Sequence, residues 1–195
     1  MSVIRAFIAI ELPHDIQTHL EEISSQLKDR LKDVPIRWVP VENIHLTLKF
    51  LGNVSLESLE MLTEVMQTVA VSHQTFEISV GGLGAYPKEH RPRVIWIGVE
   101  APAVLHSTMR SLEAETARLG YALEERPFSP HLTLGRIARN ATTHENRSTA
   151  EVITTYKVGF LGVARVHSLN LFRSDLTPSG AVYTRLFSAD LGGES

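Results

Sequence analysis

Cysteine is absent from the 195 residues of this sequence, and so are long apolar runs and a large excess of charge of either sign. Without thiols the chain has no disulfide, no thiolate nucleophile and no cysteine-ligated zinc, so a reducing cytoplasm is the expected compartment. The net charge of −3 argues against a protein that coats long nucleic acid by bulk charge, so any phosphate recognition has to be local. The segment VIRAFIAIEL is too short to span a bilayer and contains Arg5 and Glu11, so we expect no export signal and no membrane segment.

The apolar pattern predicts strands that alternate with amphipathic helices, in a chain long enough for one compact domain or two small lobes. Strands are predicted at 5–12, 42–54, 75–87, 93–100, 130–137, 159–176 and 181–191. Helices are predicted after Pro13, Ser55 and Pro102, and a further helix at 142–155. We expect the second strand to end in a turn at Gly52-Asn53, and the sequence TPSG at 177–180 to form a tight turn between the last two strands.

The tetrapeptide HLTL occurs twice, beginning at His45 and at His131. These histidines are 86 positions apart, and Arg5 and Arg93, which precede the matching earlier strands, are 88 apart. Several elements are therefore offset by nearly the same amount, which indicates a duplicated strand-helix-strand-helix-strand unit over roughly 5–90 and 93–190. We predict a single α+β domain over residues 1–195, built from two pseudo-symmetric lobes. Each lobe would be an antiparallel sheet with helices on its outer face, and a central cleft would separate them.

Each HLTL motif predicts a polar row on one face of its strand. Residues i and i+2 of a strand share a face, so His45 and Thr47 point away from the motif's leucines, as do His131 and Thr133. Two opposed imidazoles without a cofactor suit attack on a phosphodiester, because one takes a proton from the nucleophile and the other gives one to the leaving oxygen. The threonine hydroxyls can donate to phosphate oxygens, and the planar guanidinium of Arg136 can bind phosphate.

Simpler interpretations exist for each of these features. A single histidine on a strand is more often structural than catalytic, and it is the matched pair that favours catalysis. The glycines at 81, 82 and 84 favour a bulge or turn over a phosphate loop, because no Gly-Lys-Ser/Thr sequence follows them. Metal binding by His45 and His131 is geometrically possible, but the sequence has no His-x-x-x-His pair and no obvious carboxylate ligand.

These motifs resemble the two-histidine (2H) phosphoesterases, whose signature is a pair of His-x-Thr-hydrophobic motifs, one in each lobe. With RAFIAIELP, ENIHLTLKFLGNV, RPRVIWIGV, FSPHLTLGR and LNLFRSDLTPSGAVYTRL, the sequence is most similar to the bacterial and archaeal RNA 2′,3′-cyclic phosphodiesterases. These enzymes are also called LigT, ThpR or 2′-5′ RNA ligases. The resemblance implies metal-independent hydrolysis of a terminal 2′,3′-cyclic phosphate to a 2′-phosphate, with ATP-independent 2′-5′ ligation as a reverse reaction.

The same resemblance implies a role for each matching residue. His45 would be the proton donor to O3′ and His131 the proton acceptor that activates water. Thr47, Thr133 and Arg136 would hold the phosphate. Phe7 on the first strand would line the nucleoside side of the cleft, unless it belongs to the core.

We therefore expect an enzyme without cofactor or metal that acts as a cytoplasmic monomer on RNA ends bearing a 2′,3′-cyclic phosphate. Three alternatives remain open at this point. One is a 2H enzyme for 2′-5′ oligonucleotides or small cyclic nucleotides. The second is a non-catalytic module that binds RNA ends, and the third is a metal-dependent hydrolase.

Overall fold

The computed structural model describes residues 3–87, 91–178 and 180–192, and within these ranges it has nine strands and four α-helices. The strands are β1 (Val3–Ile10), β2 (Ile36–Trp38), β3 (Leu46–Ser55), β4 (Phe76–Tyr86), β5 (Val94–Glu100), β6 (His131–Ile137), β7 (Phe160–Val166), β8 (Ser168–Thr177) and β9 (Gly180–Asp190). The helices are α1 (His14–Arg30), α2 (Leu59–Val71), α3 (Ala103–Arg118) and α4 (Thr143–Thr155). The predicted α+β class is confirmed.

The strands form two antiparallel sheets, one for each lobe. The first sheet has the order β3-β1-β8-β9 and the second the order β2-β6-β5-β4-β7. Each sheet takes strands from both halves of the sequence, because β4 pairs with β5 while β8 and β9 complete the sheet that β1 begins. The duplication of one ancestral unit stays a prediction, although the order of elements from β1 to β4 repeats from β5 to β7 once β2, which has no counterpart, is left out.

The helices form where apolar spacing and capping residues favour them. The buried stripe of α1 contains Ile16, Leu20, Ile23 and Leu27, spaced by three and four. Ser55 accepts a hydrogen bond from the backbone N–H of Ser58 and so starts the turn that leads into α2. The helix predicted at 142–155 is confirmed as α4, which begins with a reciprocal capping box between Thr142 and Glu145. In the described ranges, no helix has the length and apolar content needed to cross a bilayer.

Three predictions of local structure were wrong or incomplete. The chain does not turn at Gly52-Asn53; β3 continues to Ser55, because Gly52 adopts a φ of +70° within an irregular pairing and Asn53 pairs with Arg5. The stretch 159–176 is not one strand but is divided at His167 between β7 and β8, which belong to different sheets. The short strand β2 was not predicted at all.

Two other predictions were correct. The last two strands do pair as a hairpin, with Thr177 opposite Gly180, although Ser179 of the TPSG turn lies outside the described residues. The glycine-rich segment of β4 is a bulge, with a register shift between Gly81 and Leu83 and a φ of +74° at Gly82.

One continuous hydrophobic core lies between the sheets and the helices, and it contains the leucines of both motifs. Leu46 and Leu48 are at most 3% exposed, and Leu132 and Leu134 are fully buried. A separate small cluster around Phe7 lies on the opposite face of the first sheet. The threonines of the motifs point towards the opposite, open side of their sheets, where they are half-buried.

A buried ion pair connects β3 to the segment that leads into β6. The ammonium group of Lys49, 3% exposed, donates to Glu113 of α3 at 2.7 Å and to the carbonyl of Ala122 at 2.5 Å. The same carboxylate oxygen accepts from the backbone N–H of Glu124 at 3.1 Å. Because β3 and β6 carry the two HLTL motifs, this contact links the supports of both motifs.

We expect Lys49→Met to destabilise the protein by about 3–5 kcal/mol, because it leaves the Glu113 carboxylate, only 15% exposed, without its cation. Urea unfolding at pH 7 measures the change. Arg118→Met is the matched control: it breaks the pair of Arg118 with Glu115, in which the arginine side chain is 74% exposed, and should cost less than about 1 kcal/mol. Equal effects of the two substitutions would contradict a structural role for the buried pair.

Candidate active site

The two motif strands have the same pattern of burial and the same irregularity. Residues 45–50 and residues 131–136 have the same order of burial. In each stretch half-buried and buried residues alternate over the first four positions, the fifth residue is also buried, and the sixth is exposed. The reason is a bulge: Leu48 has no partner on β1, and Leu134 has none on β5. The bulge shifts the alternation by one residue. Phe50 in β3 and Arg136 in β6 therefore return to the face of the histidine and threonine.

The residue that follows the unpaired leucine differs between the two strands. In β3 it is Lys49, whose charge reaches across to α3. In β6 it is Gly135, where a Cβ atom would come within 2.8 Å of the Ile36 side chain and 3.1 Å of the Trp38 ring. In the second sheet, side chains of the edge strand β2 therefore occupy the space that a side chain at position 135 would need. In the part of the chain that the structure describes, β3 is the edge strand of the first sheet. There Lys49 binds Glu113 of α3 and the carbonyl of Ala122.

His45 lies in an aromatic cluster on the open face of the first sheet. Its ring stacks on Phe7, with centroids 4.9 Å apart and planes 14° apart, and on Phe172 at 5.4 Å and 10°. The edge of Tyr183 approaches it at 5.1 Å. Within the described residues its ring nitrogens have no hydrogen-bond partner, so the surroundings of this imidazole are mainly apolar.

This burial lowers the pKa of His45 from 6.5 to about 4, because an imidazolium loses hydration among aromatic rings. In the free protein the His45 imidazole is therefore uncharged at neutral pH. An anion in the cleft would favour the charged form and act against this shift.

A cavity of about 360 Å³ lies beside His45, and Phe172 and Tyr183 form part of its wall. Its polar wall includes Asn43, whose amide donates to the carbonyl of Ala181 at 2.9 Å. The cavity also contains the ion pair between Arg185 and Glu11, at 2.6 Å. Its aromatic and polar sides suit a flat ring that carries hydrogen-bonding groups.

His131 has more polar surroundings, which define its tautomer. Its Nδ1 is 2.7 Å from the carbonyl oxygen of Ser129, and because a carbonyl can only accept, Nδ1 carries the hydrogen. In the neutral imidazole, Nε2 then has a free lone pair. The hydroxyl groups of Tyr86 and Ser129 share a hydrogen bond of 2.7 Å, and the Tyr86 ring meets His131 edge-on at 5.2 Å.

Trp96 lies beside His131 on the same face, with ring centroids 6.4 Å apart. It is paired with Thr133 on one side and with Gly84 on the other. A Cβ atom on Gly84 would come within 2.3 Å of the indole ring, so the missing side chain is what lets the indole lie across β4. The glycine predicted to mark a bulge or turn thus also makes room for the tryptophan beside the second motif.

The structure places the predicted site residues in two groups. His45 and Thr47 lie on the open face of the first sheet, while His131, Thr133 and Arg136 lie on that of the second, and β3 and β6 lie against each other. Phe7 is 4% exposed and contacts His45 directly.

Five residues around the histidines were not predicted from the sequence: Tyr86, Trp96, Ser129, Phe172 and Tyr183. Phe172 and Tyr183 reach His45 because β8 pairs with β1 and β9 with β8, and no local pattern indicates that pairing. Ser129 precedes His131 by two residues, and its carbonyl gives no signal in the sequence. Among the described residues, no group of three or more acidic or histidine side chains is arranged to hold a metal ion.

Known proteins resemble this chain over nearly its whole length. The family model described as LigT like Phosphoesterase matches residues 10–96. The RNA 2′,3′-cyclic phosphodiesterase of Methanothermobacter thermautotrophicus is 35% identical over 181 residues, which are 93% of this chain and 95% of the relative. TT0787 of Thermus thermophilus has a TM-score of 0.79 at 28% identity, covering 98% of this chain and 100% of the other. Escherichia coli LigT complexed with 3′-AMP has a TM-score of 0.76 at 26% identity, covering 97% and 99%.

We expect the His45 imidazole to titrate near pH 4 in the free protein, and NMR of its ring protons measures the midpoint. A His45→Asn variant assigns the signal. A bound nucleoside 2′-monophosphate should raise the midpoint, because its anionic phosphate stabilises the imidazolium. A midpoint near 6.5 without ligand would contradict the desolvation by Phe7, Phe172 and Tyr183.

The same shift makes stability depend on pH. The unfolded chain takes up a proton at His45 near pH 6.5, whereas the folded protein does so only near pH 4. This contribution to stability is therefore fully present above pH 6.5 and falls by about 3 kcal/mol as the pH decreases to 4. Urea unfolding of the parent and of His45→Asn across this range measures it. The variant should lose this part of the pH dependence, and parallel curves would contradict the assignment.

Proposed function

Because the chain belongs to the LigT-like phosphoesterase family, we propose that it hydrolyses the terminal 2′,3′-cyclic phosphate of an RNA to a 2′-phosphate. The observation that carries this proposal is the pair of HLTL motifs, which have the same bulge and the same burial pattern on the open faces of two sheets. The curated relatives in Methanothermobacter thermautotrophicus and Archaeoglobus fulgidus are named RNA 2′,3′-cyclic phosphodiesterases, and they match 93% of this chain at 35% and 33% identity.

In the proposed reaction, His131 accepts the proton of the attacking water. The water oxygen forms a bond to phosphorus, the bond from phosphorus to O3′ breaks, and O3′ takes a proton from His45. One water is added, and the two histidines exchange protons with solvent before the next turnover. The hydrogen bond from His131 Nδ1 to Ser129 supports this assignment, because it leaves Nε2 as the free base.

A proton donor at position 45 has to be charged when the substrate is bound. The low pKa of the free His45 means that proton uptake accompanies binding of the anionic cyclic phosphate. An imidazolium among aromatic rings also releases its proton readily, which favours transfer to the departing O3′. The anionic phosphate thus favours proton uptake by His45, and the apolar cluster favours release of that proton.

We assign the phosphate oxygens to Thr47, Thr133 and Arg136, which share the open faces with the histidines. The nucleoside contact of Phe7 stays a prediction. Phe50 is 67% exposed on the same face, opposite Phe7 in the neighbouring strand, and its ring is 6.3 Å from that of Phe7. We therefore propose Phe50 as the ring on which a base stacks.

The same geometry in reverse would let a 5′-hydroxyl of RNA replace water and form a 2′-5′ linkage without ATP. Water is far more concentrated, so hydrolysis should dominate. We also predict that the protein is a cytoplasmic monomer and that it needs no metal.

We expect His45→Ala and His131→Ala each to lower turnover of an oligoribonucleotide 2′,3′-cyclic phosphate by at least about a hundredfold, the usual scale of one acid–base group. His19→Ala, at an exposed position on α1, is the matched control and should keep parental turnover. The assay is run with and without EDTA, and with 2′-5′ oligoadenylate as a second substrate. Loss of activity in EDTA, restored by zinc or manganese, would favour a metal-dependent hydrolase. Binding without turnover would favour a module that recognises RNA ends, and preference for the second substrate would change the substrate class.

We also expect a single phosphomonoester product. If the two imidazoles lie on opposite sides of the cyclic phosphate, water enters in line and only the oxygen facing His45 can leave. Phosphorus NMR of the product should therefore show the 2′-phosphate alone. A predominant 3′-phosphate would reverse the roles of the two histidines, and an equal mixture would contradict a rigid two-sided site.

A further inference from the structure

A groove of about 560 Å³ at the far end of β6 contains four arginines: Arg37, Arg93, Arg136 and Arg139. It is formed by strands β2, β5 and β6 and by the residues that follow β6. Arg136 connects this groove to the second motif. In β5, Val94 and Trp96 share a face, and they are the strand partners of Arg136 and Thr133 respectively, so Arg136 and Thr133 share a face as well. The groove is therefore a continuation of the proposed active-site face.

Two of these arginines face each other with no carboxylate among the described residues near enough to neutralise their charges. Arg37 of β2 and Arg136 of β6 are direct partners in an antiparallel pair, so their Cβ atoms are about 5 Å apart. Like charges in this position destabilise a sheet. In the described ranges, no carboxylate lies within 4 Å of any of the four guanidinium groups. An anionic ligand would remove this repulsion.

Protection of an exposed edge explains only part of the cluster. β2 is an edge strand, and charged side chains keep such edges from pairing with other chains. That role accounts for Arg37 but not for Arg136, whose strand lies inside the sheet. It does not account for Arg93 either, whose guanidinium is half-buried and held at 2.7 Å by the carbonyl of Ala138. Edge protection therefore leaves Arg93 and Arg136 unexplained.

We propose that this groove binds the phosphodiester backbone of the RNA strand that leads to the cyclic end. Guanidinium groups bind phosphate through planar, paired hydrogen bonds, and a track of positive charge is how proteins hold single strands. The proposal rests on the proposed function, because the reacting phosphate at Arg136 fixes one end of the strand. A nucleoside 2′,3′-cyclic phosphate has no further phosphate to place there, but a longer RNA does.

The test compares adenosine 2′,3′-cyclic phosphate with the trinucleotide ApApA ending in the same group. Arg37→Gln and Arg139→Gln should each lower kcat/KM for the trinucleotide by about tenfold and leave that for the mononucleotide within about twofold. Arg110→Gln, at an exposed arginine of α3, is the charge-matched control and should change neither. The salt dependence of kcat/KM should be steeper for the trinucleotide, and Arg37→Gln should reduce that difference.

Several outcomes would overturn the proposal. Equal losses on both substrates, or no loss on either, would mean that the groove does not read the strand. A different result would assign the groove to free nucleotide polyphosphates: ATP inhibits mononucleotide turnover in the parent but not in Arg37→Gln, and the trinucleotide kinetics of Arg37→Gln are those of the parent.

Failure of the proposed function is detected separately. If the parent hydrolyses neither substrate, fluorescence anisotropy with a labelled hexaribonucleotide ending in a 3′-hydroxyl still tests the groove. Weaker binding by Arg37→Gln than by Arg110→Gln would support it. Equal binding by the two variants would overturn it.

Discussion

Leu48 in β3 and Leu134 in β6 each lack a partner on the neighbouring strand, and this one extra residue sets the direction of the side chains that follow. In a regular strand Lys49 would share the face of Thr47, and Arg136 would point into the core. The bulge instead turns Lys49 into the core, where it meets Glu113, and brings Arg136 to the open face. One strand can therefore supply a buried ion pair and a polar face to the cleft.

Identical HLTL tetrapeptides acquire different acid–base properties because their neighbours come from distant parts of the chain. Phe172 and Tyr183 remove water from His45 and depress its pKa, whereas the Ser129 carbonyl orients His131 by a hydrogen bond. Two histidines with the same surroundings would have the same pKa, and neither would be favoured as the proton donor or the proton acceptor. Differences in burial supply that distinction, and they arise from strand pairing rather than from the motif.

The sequence alone predicted what depends on local periodicity. Alternation in HLTL correctly separated buried leucines from outward histidines and threonines, and the spacing of Ile16, Leu20 and Ile23 gave the buried face of α1. Long-range pairing was beyond its reach, which is why β2 and the division of 159–176 were missed. Arg136 was assigned to the cleft although it is five residues from His131, an odd spacing that period two would place in the core. The bulge is what places Arg136 on the same strand face as His131 and Thr133, and its phosphate-binding role stays a prediction.

The charges of this chain are arranged so that phosphate attraction is confined to a short stretch of surface. The whole protein carries −3, so long nucleic acids gain little from general attraction, and binding depends on a few guanidinium groups in fixed positions. Opposing Arg37 to Arg136 raises the free energy of the empty protein, and a phosphate between them releases that free energy on binding. Arg136 belongs to both the reacting face and the groove, so the strand and the reacting phosphate would lie on one continuous face.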